Sequence, residues 1–198
     1  SCGYIPGPEH DLKLLGTTPY FTPMISNQLL KFSTGNGKLK NRLIFSLPAG
    51  YSCPHAGVCK TFADRNTGKL TDLPQTTGTE ALEFRCFAAC SEKYPGVRNA
   101  RWHNFERLRA TDLSDHSEMA ALIFNSIMVA PKKNLIRIHE SGDFWTEMYM
   151  LAWIEVATCL PDITMYAYTK SLGMWQSLYD RIPDNFYLTA SYGGTLDY

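Results

Sequence analysis

Four short segments rich in β-branched and aromatic residues predict four β-strands along the chain. These segments are 42–47 (RLIFSL), 135–139 (LIRIH), 163–168 (ITMYAY) and 186–190 (FYLTA). Pro48 and Gly50 follow the first segment and mark its end. The stretch 51–80 has clusters of Gly and Thr and little periodicity, so it is predicted as a long loop.

Apolar residues at helical spacing predict helices between the later strands. One predicted helix follows Ser114, which can cap it, and ends before Pro131. A second helix follows Thr146, which can cap it in the same way. The apolar positions are Met119, Leu122, Ile123 and Ile127 in the first helix and Met148, Leu151, Ala152 and Val156 in the second. A weaker helix is predicted over 174–179.

Strands that alternate with helices predict an α/β fold made of parallel βα units. Four such units are too few to close an eight-stranded barrel. We therefore expect a partial or open TIM-barrel-like sheet that lacks its C-terminal part, and a natural chain that continues past Tyr198. The expected domains are an irregular arm at 1–40, with a short element near 28–32, and a barrel-like domain at 41–198. The insertion at 51–110 of that domain carries cysteines.

The composition is that of a folded domain with balanced charge. Of the 198 residues, 44% are hydrophobic and 19% are charged, which excludes wholesale disorder. Lys plus Arg and Asp plus Glu each number 19, which excludes a polycationic nucleic-acid coat. No apolar run reaches the roughly 18 residues of a membrane span, and the first residues lack a signal-peptide pattern. We therefore expect no membrane partner.

Two cysteine pairs lie in the predicted insertion. Cys53 and Cys59 flank five residues, and Cys86 and Cys90 flank three. Without a visible secretory signal, such cysteines favour reduced thiols or metal ligation over a disulfide framework. Thiolates bind zinc and iron–sulfur clusters, so these four residues are the predicted metal ligands. Neither spacing is the familiar pair separated by two residues, and unligated thiols are the alternative.

Polar residues follow all four predicted strands, where ligands bind in α/β sheets. His139, Glu140 and Asp143 follow the second strand and offer a base and two carboxylates, so they are the predicted catalytic residues. Asp143 is suited to bind a substrate amine, to attack as a nucleophile or to hold a metal. The simpler alternative is that Asp143 or Thr146 only caps the following helix.

The ends of the third and fourth strands supply the predicted substrate-binding residues. These are Thr169, Lys170, Ser171 and Ser191. The ammonium group of Lys170 is suited to contact an anion. A solvated lysine at a strand end is the alternative interpretation.

The segment 93–109 (KYPGVRNARWHNFERLR) concentrates positive charge in a neutral chain. It has five basic residues and one acidic residue, interleaved with aromatic ones. Basic side chains neutralise phosphates, and aromatic rings stack on unpaired bases. The predicted nucleic-acid contacts, on a basic surface that leads toward the pocket, are Arg98, Arg101, Arg107 and Arg109. The alternative is an amphipathic helix with aromatic residues in the core and arginines at the surface.

Four segments together resemble one phage family. They are FSLPAGYSCPHAGVC, FRCFAACSEKYPGVRNARWHNFERLR, IRIHESGDFW and ITMYAYTKSL. From about residue 40 to the end, the chain resembles the phage "gene product eighty-eight" family. The resemblance implies a bacteriophage or mobile-element protein that works in the cytoplasm of an infected bacterial host.

The order of the polar motifs also resembles that of radical S-adenosylmethionine enzymes. Those enzymes place three cysteines after the first strand and a glycine–acid motif after the second, as Cys53, Cys59, Cys86 and the pair Gly142-Asp143 do here. The resemblance implies an iron–sulfur cluster, with S-adenosylmethionine as a candidate cosubstrate. Zinc is the alternative metal.

A rival distant similarity is to guanine transglycosylases. This similarity implies that Asp143 of the present chain attacks the sugar carbon as the base departs. The expected function is a metal- or iron–sulfur-dependent enzyme that modifies nucleic-acid bases by radical-type chemistry. The alternatives are base exchange in DNA with Asp143 as nucleophile, and an enzyme that acts on a small molecule. A further alternative is a non-catalytic phage protein that binds nucleic acid or a host factor around a structural metal.

Overall fold

A four-stranded parallel sheet is the centre of the fold. We describe a computed structural model of the chain over residues 28–35, 39–57, 59–72 and 86–197. Its strands are β1 (Leu43–Phe45), β4 (Leu135–Ile138), β5 (Thr164–Thr169) and β6 (Phe186–Ala190). They lie in the order β1–β4–β5–β6, and all three strand pairs are parallel. The predicted α/β class with a parallel sheet is confirmed, and the described strands form an open sheet.

One face of the sheet is apolar and buried. It packs against helices α2 (Ser117–Val129) and α3 (Glu147–Cys159), which also contact each other. Because side chains alternate between faces, every second strand residue joins this core. The buried strand residues on this face are Leu43, Phe45, Ile136, Ile138, Met165, Ala167 and Phe186.

The opposite face of the sheet carries tyrosines and arginines. Arg137 lies opposite Tyr166 in the register, and Tyr166 lies opposite Tyr187, so the three share a face. Tyr168 and Thr189 form the next pair toward the carboxyl ends. We call this side of the sheet the tyrosine face, and its arginine, tyrosine and outermost threonine residues are Arg42, Arg137, Tyr166, Tyr168, Tyr187 and Thr189.

Two predicted helix starts have different outcomes. Thr146 caps α3 as predicted, because its hydroxyl accepts a hydrogen bond from the backbone N–H of Tyr149 at 3.2 Å. The predicted cap at Ser114 is wrong, since α2 begins at Ser117 and the hydroxyl of Ser114 donates to Asp112 instead. The weaker helix is α4, Leu172–Ser177, and a 3-10 helix, Tyr179–Arg181, follows it.

The cysteine-bearing insertion has more regular structure than predicted. The two three-residue strands β2 (Thr61–Ala63) and β3 (Leu70–Asp72) pair in an antiparallel hairpin within the stretch predicted as a loop. A 3-10 helix, Ala89–Lys93, leads into helix α1, Pro95–Arg109, which is the segment predicted to be basic and aromatic. Phe105 and Leu108 of α1 join the core.

Most of the predicted N-terminal arm lies outside the described residues. Within 28–35, Ser33 exchanges two backbone hydrogen bonds with Ile44, at 3.0 and 2.8 Å, beside β1. The residues of the predicted short element near 28–32 form no strand or α-helix. Among the helices that the structure describes, none has the length and apolar character needed to cross a membrane.

Candidate functional site

The loops that follow β1 and β4 are joined by backbone hydrogen bonds. Beyond the last strand residues, the N–H of Leu47 donates to the carbonyl of Ser141 at 2.8 Å, and the N–H of Asp143 donates to that of Ser52 at 3.2 Å. Gly142 makes this approach possible. It has a φ of +90°, and a Cβ there would lie 2.7 Å from the Cβ of Leu47. The two loops therefore form one platform at the carboxyl edge of the sheet.

The loop after β6 reaches the same platform from the far edge of the sheet. The N–H of Gly57 donates to the carbonyl of Gly193 at 2.9 Å, and the N–H of Thr195 donates to that of His55 at 3.1 Å. Although β1 and β6 are at opposite ends of the strand order, their following loops are therefore in contact. This contact brings all four predicted polar segments around one carboxyl-edge site.

Asp143 is buried at the centre of this site and links two of its loops through hydrogen bonds. Its side chain is 4% exposed. Its carboxylate accepts hydrogen bonds from the Thr169 hydroxyl at 2.6 Å, from the Lys170 N–H at 2.8 Å and from the Phe144 N–H at 2.8 Å. Burial raises the pKa of Asp143, and these hydrogen bonds oppose that rise. The carboxylate joins the loops after β4 and β5, so the helix-capping interpretation of Asp143 is wrong.

The predicted substrate-binding residues lie on both sides of Asp143. The Lys170 ammonium group donates to the Ser191 hydroxyl at 2.7 Å, which ties the loop after β5 to the loop after β6. Ser171 is fully buried, and its hydroxyl donates to the carbonyl of Phe144 at 2.8 Å. Thr169 is also fully buried and holds Asp143. Lys170 and Ser191 are therefore the members of this set that remain accessible to a ligand.

Three cysteines approach the same carboxylate and ammonium groups. The pKa of Cys53 is raised to about 12, mainly by burial and also by the charges of Asp143, Cys86 and Cys59. Burial also raises the pKa of Cys59, while the nearby Lys170 lowers it. The N–H of Asp143 donates to the carbonyl of Ser52, so Cys53 lies beside Asp143 in the joined loops. The N–H of Cys86 donates to the Thr61 hydroxyl at 3.3 Å, which brings Cys86 toward the segment that carries Cys59.

The donor chemistry fits a soft metal, but the ligand geometry is not preformed. Several potential anions share this site with Lys170, and a bound cation would favour their ionised forms. Among the residues that the structure describes, however, no group of three or more His, Cys, Asp or Glu side chains has the arrangement of a metal site. The thiol of Cys90 contacts the carbonyl oxygen of Cys86 at 3.9 Å.

His139 lies in the core and not in the site. Its ring packs against the rings of Phe45, Phe144 and Tyr149 at centroid distances of 6.3, 4.8 and 5.6 Å. Its Nε2 shares a hydrogen bond of 2.8 Å with the Tyr149 hydroxyl. Burial lowers the pKa of His139 to about 3, so the ring is neutral near pH 7. The prediction that His139 acts as a base in the pocket is wrong for this placement.

Glu140 lies at the partly exposed edge of a network of charges that includes the buried Arg101 and Glu92. The guanidinium group of Arg101 donates to Glu140 at 2.7 Å and to Glu92 at 3.0 Å. Glu92 also accepts from the Ala49 N–H at 2.8 Å, and burial raises its pKa. Arg101 therefore holds the 3-10 helix that carries Glu92 against the loop after β4. Glu140 is a structural partner in this arrangement rather than a free catalytic acid.

The arginines of α1 do not form the predicted basic surface. Arg98 and Arg101 are only 5% and 3% exposed. Arg98 donates to the carbonyls of Arg65, Glu92 and Asn66 at 2.7, 2.6 and 2.9 Å. Arg107 is half-buried and donates to the carbonyl of Gln28, and Arg109 is exposed. The prediction of phosphate contacts through Arg98 and Arg101 is wrong, because protein acceptors already occupy both guanidinium groups.

Comparison with known proteins places the chain in a phage family. The sequence profile of the Gene product 88 family matches residues 24–198. The chain belongs to this family. Its relatives include the Gene 88 proteins of Mycobacterium phage L5 and Mycobacterium phage D29, which are 37% and 36% identical over 90 residues. The aligned part covers 43% of this chain and only 38% of each relative. No solved structure matches the chain.

The family assignment supports the predicted bacteriophage origin. The shared name of these relatives, Gene 88 protein, states no activity, ligand or partner. The matched family gives no support to the more distant resemblances to radical S-adenosylmethionine enzymes or guanine transglycosylases. The chemistry of this Gene product 88 protein is therefore inferred from its own site.

Sequence reasoning missed two residues that shape the site of this Gene product 88 family member. Glu92 is fully buried against Arg101, and its only sequence signal is an acidic residue inside a basic segment. Ser52 is fully buried, and its hydroxyl donates to the carbonyl of Pro48 at 2.7 Å. Its sequence signal is a small polar residue directly before Cys53, which does not distinguish it from an ordinary loop serine.

Proposed function

We propose that this chain forms a phage-encoded enzyme that modifies nucleic-acid bases at the carboxyl edge of its parallel sheet. The proposal includes an iron–sulfur cluster or a zinc ion bound by Cys53, Cys59 and Cys86. The observation that carries it is the hydrogen bond from the Asp143 N–H to the Ser52 carbonyl, which places the adjacent Cys53 beside Asp143 and, through Asp143, near Lys170. An iron–sulfur cluster would supply one-electron chemistry, and zinc would supply Lewis-acid chemistry.

The residues of the chain have distinct roles in this proposal. Lys170 and Ser191 bind an anionic or polar group of the substrate, since their hydrogen-bonded pair lies at the accessible side of the site. Asp143 positions Lys170 by accepting its backbone N–H, and Thr169 fixes the Asp143 carboxylate in turn. Nucleic acid is the favoured substrate class because the open face of the same sheet exposes tyrosine rings beside arginines.

The base-exchange alternative is less favoured by this geometry. It needs a carboxylate that can attack a sugar carbon, whereas Asp143 is buried and accepts three hydrogen bonds. A nucleophile needs access to its target atom as well as a suitable pKa. The non-catalytic alternative, in which a metal only stabilises the insertion, is tested by separating metal content from activity.

The first experiment measures metal, acid-labile sulfide and visible absorption of the protein purified without oxygen. We expect bound metal in the wild type and its loss in Cys53→Ser, Cys59→Ser and Cys86→Ser. Cys90→Ser is the matched control, and it is expected to retain the metal because its thiol contacts a backbone carbonyl. Wild-type protein without metal after reconstitution would overturn the metal part of the proposal.

The second experiment measures modified nucleosides by mass spectrometry after incubation with phage nucleic acid. We expect Lys170→Met and Ser191→Ala to lower the yield while the metal content is unchanged. If wild-type protein that contains its metal gives no modified nucleoside, the result would support the non-catalytic alternative and overturn the enzyme proposal.

A further inference from the structure

The tyrosine face is open to solvent at the rings of its central tyrosines. Tyr168 is 49% exposed and Tyr187 is 59% exposed. They lie on the adjacent strands β5 and β6, and the half-buried Tyr166 lies on β5 between Arg137 of β4 and Tyr187 of β6. Large aromatic side chains are common in buried positions, so two exposed rings on the same sheet face indicate a binding surface.

Arginines accompany the tyrosine rings across this face. Arg42 donates to the Tyr166 hydroxyl at 2.6 Å, and its guanidinium carbon lies 5.9 Å from the centre of the Tyr166 ring. The guanidinium carbon of Arg137 lies 5.6 Å from the centre of the Tyr168 ring. Each arginine therefore lies beside a tyrosine, so positive charge and aromatic surface alternate over a short distance.

The strand residues on this face include no acid. In the four described strands of the sheet, the residues on the side of the tyrosines are Ile44, Leu135, Arg137, Thr164, Tyr166, Tyr168, Tyr187 and Thr189. A TIM-barrel interior is instead dominated by branched aliphatic residues that pack against each other. The chemistry of this face is therefore complementary to phosphates and bases more than to an apolar protein core.

The tyrosine face also leads directly to the carboxyl-edge site. Tyr168 and Thr189 are paired in the register, and the next residues of β5 and β6 reach Lys170 and Ser191. The Lys170 ammonium group donates to the Ser191 hydroxyl at 2.7 Å, which places a cation where the face meets the site. A strand of nucleic acid on the face would therefore have its end or one base at the site.

We propose that the tyrosine face binds single-stranded nucleic acid, with bases stacked on Tyr168 and Tyr187 and phosphates held by Arg42 and Arg137. Stacking on aromatic rings of a sheet requires unpaired bases, which a duplex does not offer. This inference rests on the proposed function for its biological role, because it names the form of nucleic acid that reaches the site. Binding of the single strand is measured without requiring that any base be modified.

The test is fluorescence anisotropy of the full chain with a labelled single strand of about twelve nucleotides, within the range of site sizes known for such surfaces. We expect the single strand to bind more tightly than the matching duplex. Tyr168→Ala and Tyr187→Ala should each weaken binding about 5- to 150-fold, the range that stacking energies imply. Arg42→Ala and Arg137→Ala should each reduce the log–log salt slope by about 0.7.

Two controls separate binding from damage to the fold. Tyr168→Phe keeps the ring and should retain wild-type affinity. Tyr179→Ala removes an exposed ring from the 3-10 helix outside the face and should leave affinity unchanged. Equal losses for Tyr168→Ala and Tyr179→Ala, or no binding of the single strand at low salt, would overturn the proposal.

A second copy of the chain is the competing occupant, and sedimentation equilibrium detects it. A dimer that Tyr168→Ala dissociates, with no affinity for the single strand, would assign the face to self-association and reject nucleic acid. Failure of the proposed function is distinguishable from failure of this inference. If the single strand binds normally but no modified nucleoside forms, the proposed enzyme activity is overturned and the proposed binding surface stands. If nucleosides are modified and the single strand binds equally well to a variant that lacks the rings of Tyr168 and Tyr187, only the proposed binding surface is overturned.

Discussion

At the scale of single residues, the buried Arg98 shows that a guanidinium group suited to phosphates can instead bind backbone carbonyls. A guanidinium group has five N–H donors that suit phosphates, and the same fork suits backbone carbonyls. Arg98 uses it to hold the carbonyls of Arg65 and Asn66 next to that of Glu92. These acceptors are up to 33 positions away in sequence, so the local pattern indicated a basic segment but not its burial.

His139 makes folding sensitive to acid. Its pKa is about 3 in the folded protein, because burial excludes the charged ring, and about 6.5 in an unfolded chain. Between these values the unfolded state binds one more proton, so stability is lost as the pH falls from about 6.5 toward 3. We expect the free energy of unfolding of the wild type, relative to His139→Gln, to fall by about 1.4 kcal/mol per pH unit across this window.

The measurement is urea denaturation of both proteins at several pH values between about 4 and 7. Subtracting the two curves removes the contribution of other buried acids such as Asp143 and Glu92. His116→Gln is the control, because the His116 ring lies nearer the surface, beside the carboxylates of Asp115 and Glu155. A difference between wild type and His139→Gln that is flat with pH would show that the ring takes up its proton over the same pH range in the folded and unfolded states.

At the scale of elements, the strands of the sheet were predictable and the insertion was not. The four sheet strands and α3 have strong apolar patterns, and tertiary packing agrees with those patterns. Strands β2 and β3 have three residues each and, unlike β1, do not lie within a longer apolar run. Their pairing depends on the hairpin between them, where Asp64 accepts hydrogen bonds from the backbone N–H groups of Asn66 and Thr67.

The carboxyl-edge site was predictable in position but not in the role of each residue. The rule that ligands lie beyond the strand ends selected Asp143, Lys170 and Ser191, and the structure brings these residues together. The rule does not say which side chain turns inward. His139 and Ser171 occupy the same segments and are buried, because each found a partner in the core, Tyr149 and Phe144 respectively.

The platform formed by the loops after β1 and β4 depends on Gly142. An alanine there would need a left-handed backbone and would place its Cβ 2.6 Å from the Ser52 hydroxyl oxygen. We expect Gly142→Ala to lower the free energy of unfolding by about 2 to 4 kcal/mol, from backbone strain and overpacking together. Denaturation in urea at constant pH measures it.

Gly173→Ala is the matched control for Gly142→Ala. Gly173 lies in helix α4, where an added Cβ would meet no atom within 4 Å. Alanine favours the helix, so this variant should be more stable by about 0.5 to 1 kcal/mol. If both variants lost the same stability, the close approach of the two loops would not be the cause.

At the scale of the whole molecule, the strands of the described sheet differ in how well neighbouring elements shield them from solvent. Helices α2 and α3 cover one face, and each of the central strands β4 and β5 pairs with a strand on both sides. In the described part of the chain, β6 pairs only with β5. The sequence could predict the strands but not their order, because strand order depends on connections that the local pattern does not encode.

Hydrogen exchange should follow this unequal protection. We expect the backbone amides of β4 and β5 to exchange slowest, near the rate set by global unfolding, and those of β6 to exchange faster. Mass spectrometry of peptides after timed exposure to heavy water measures these rates. Protection of β6 equal to that of β5 would mean that a further part of the protein covers its outer edge.

The charge network around Arg101 has a consequence for how this protein can vary. Arg101 carries one positive charge between Glu92 and Glu140, and its loss would leave the buried Glu92 carboxylate without a cationic partner, at a cost of about 3 to 5 kcal/mol. Loss of the partly exposed Glu140 would instead leave the pair of Arg101 and Glu92 intact. Natural variants should therefore replace Arg101 only together with Glu92, so positions 92 and 101 should covary when many phage sequences are aligned, and position 140 should vary more freely.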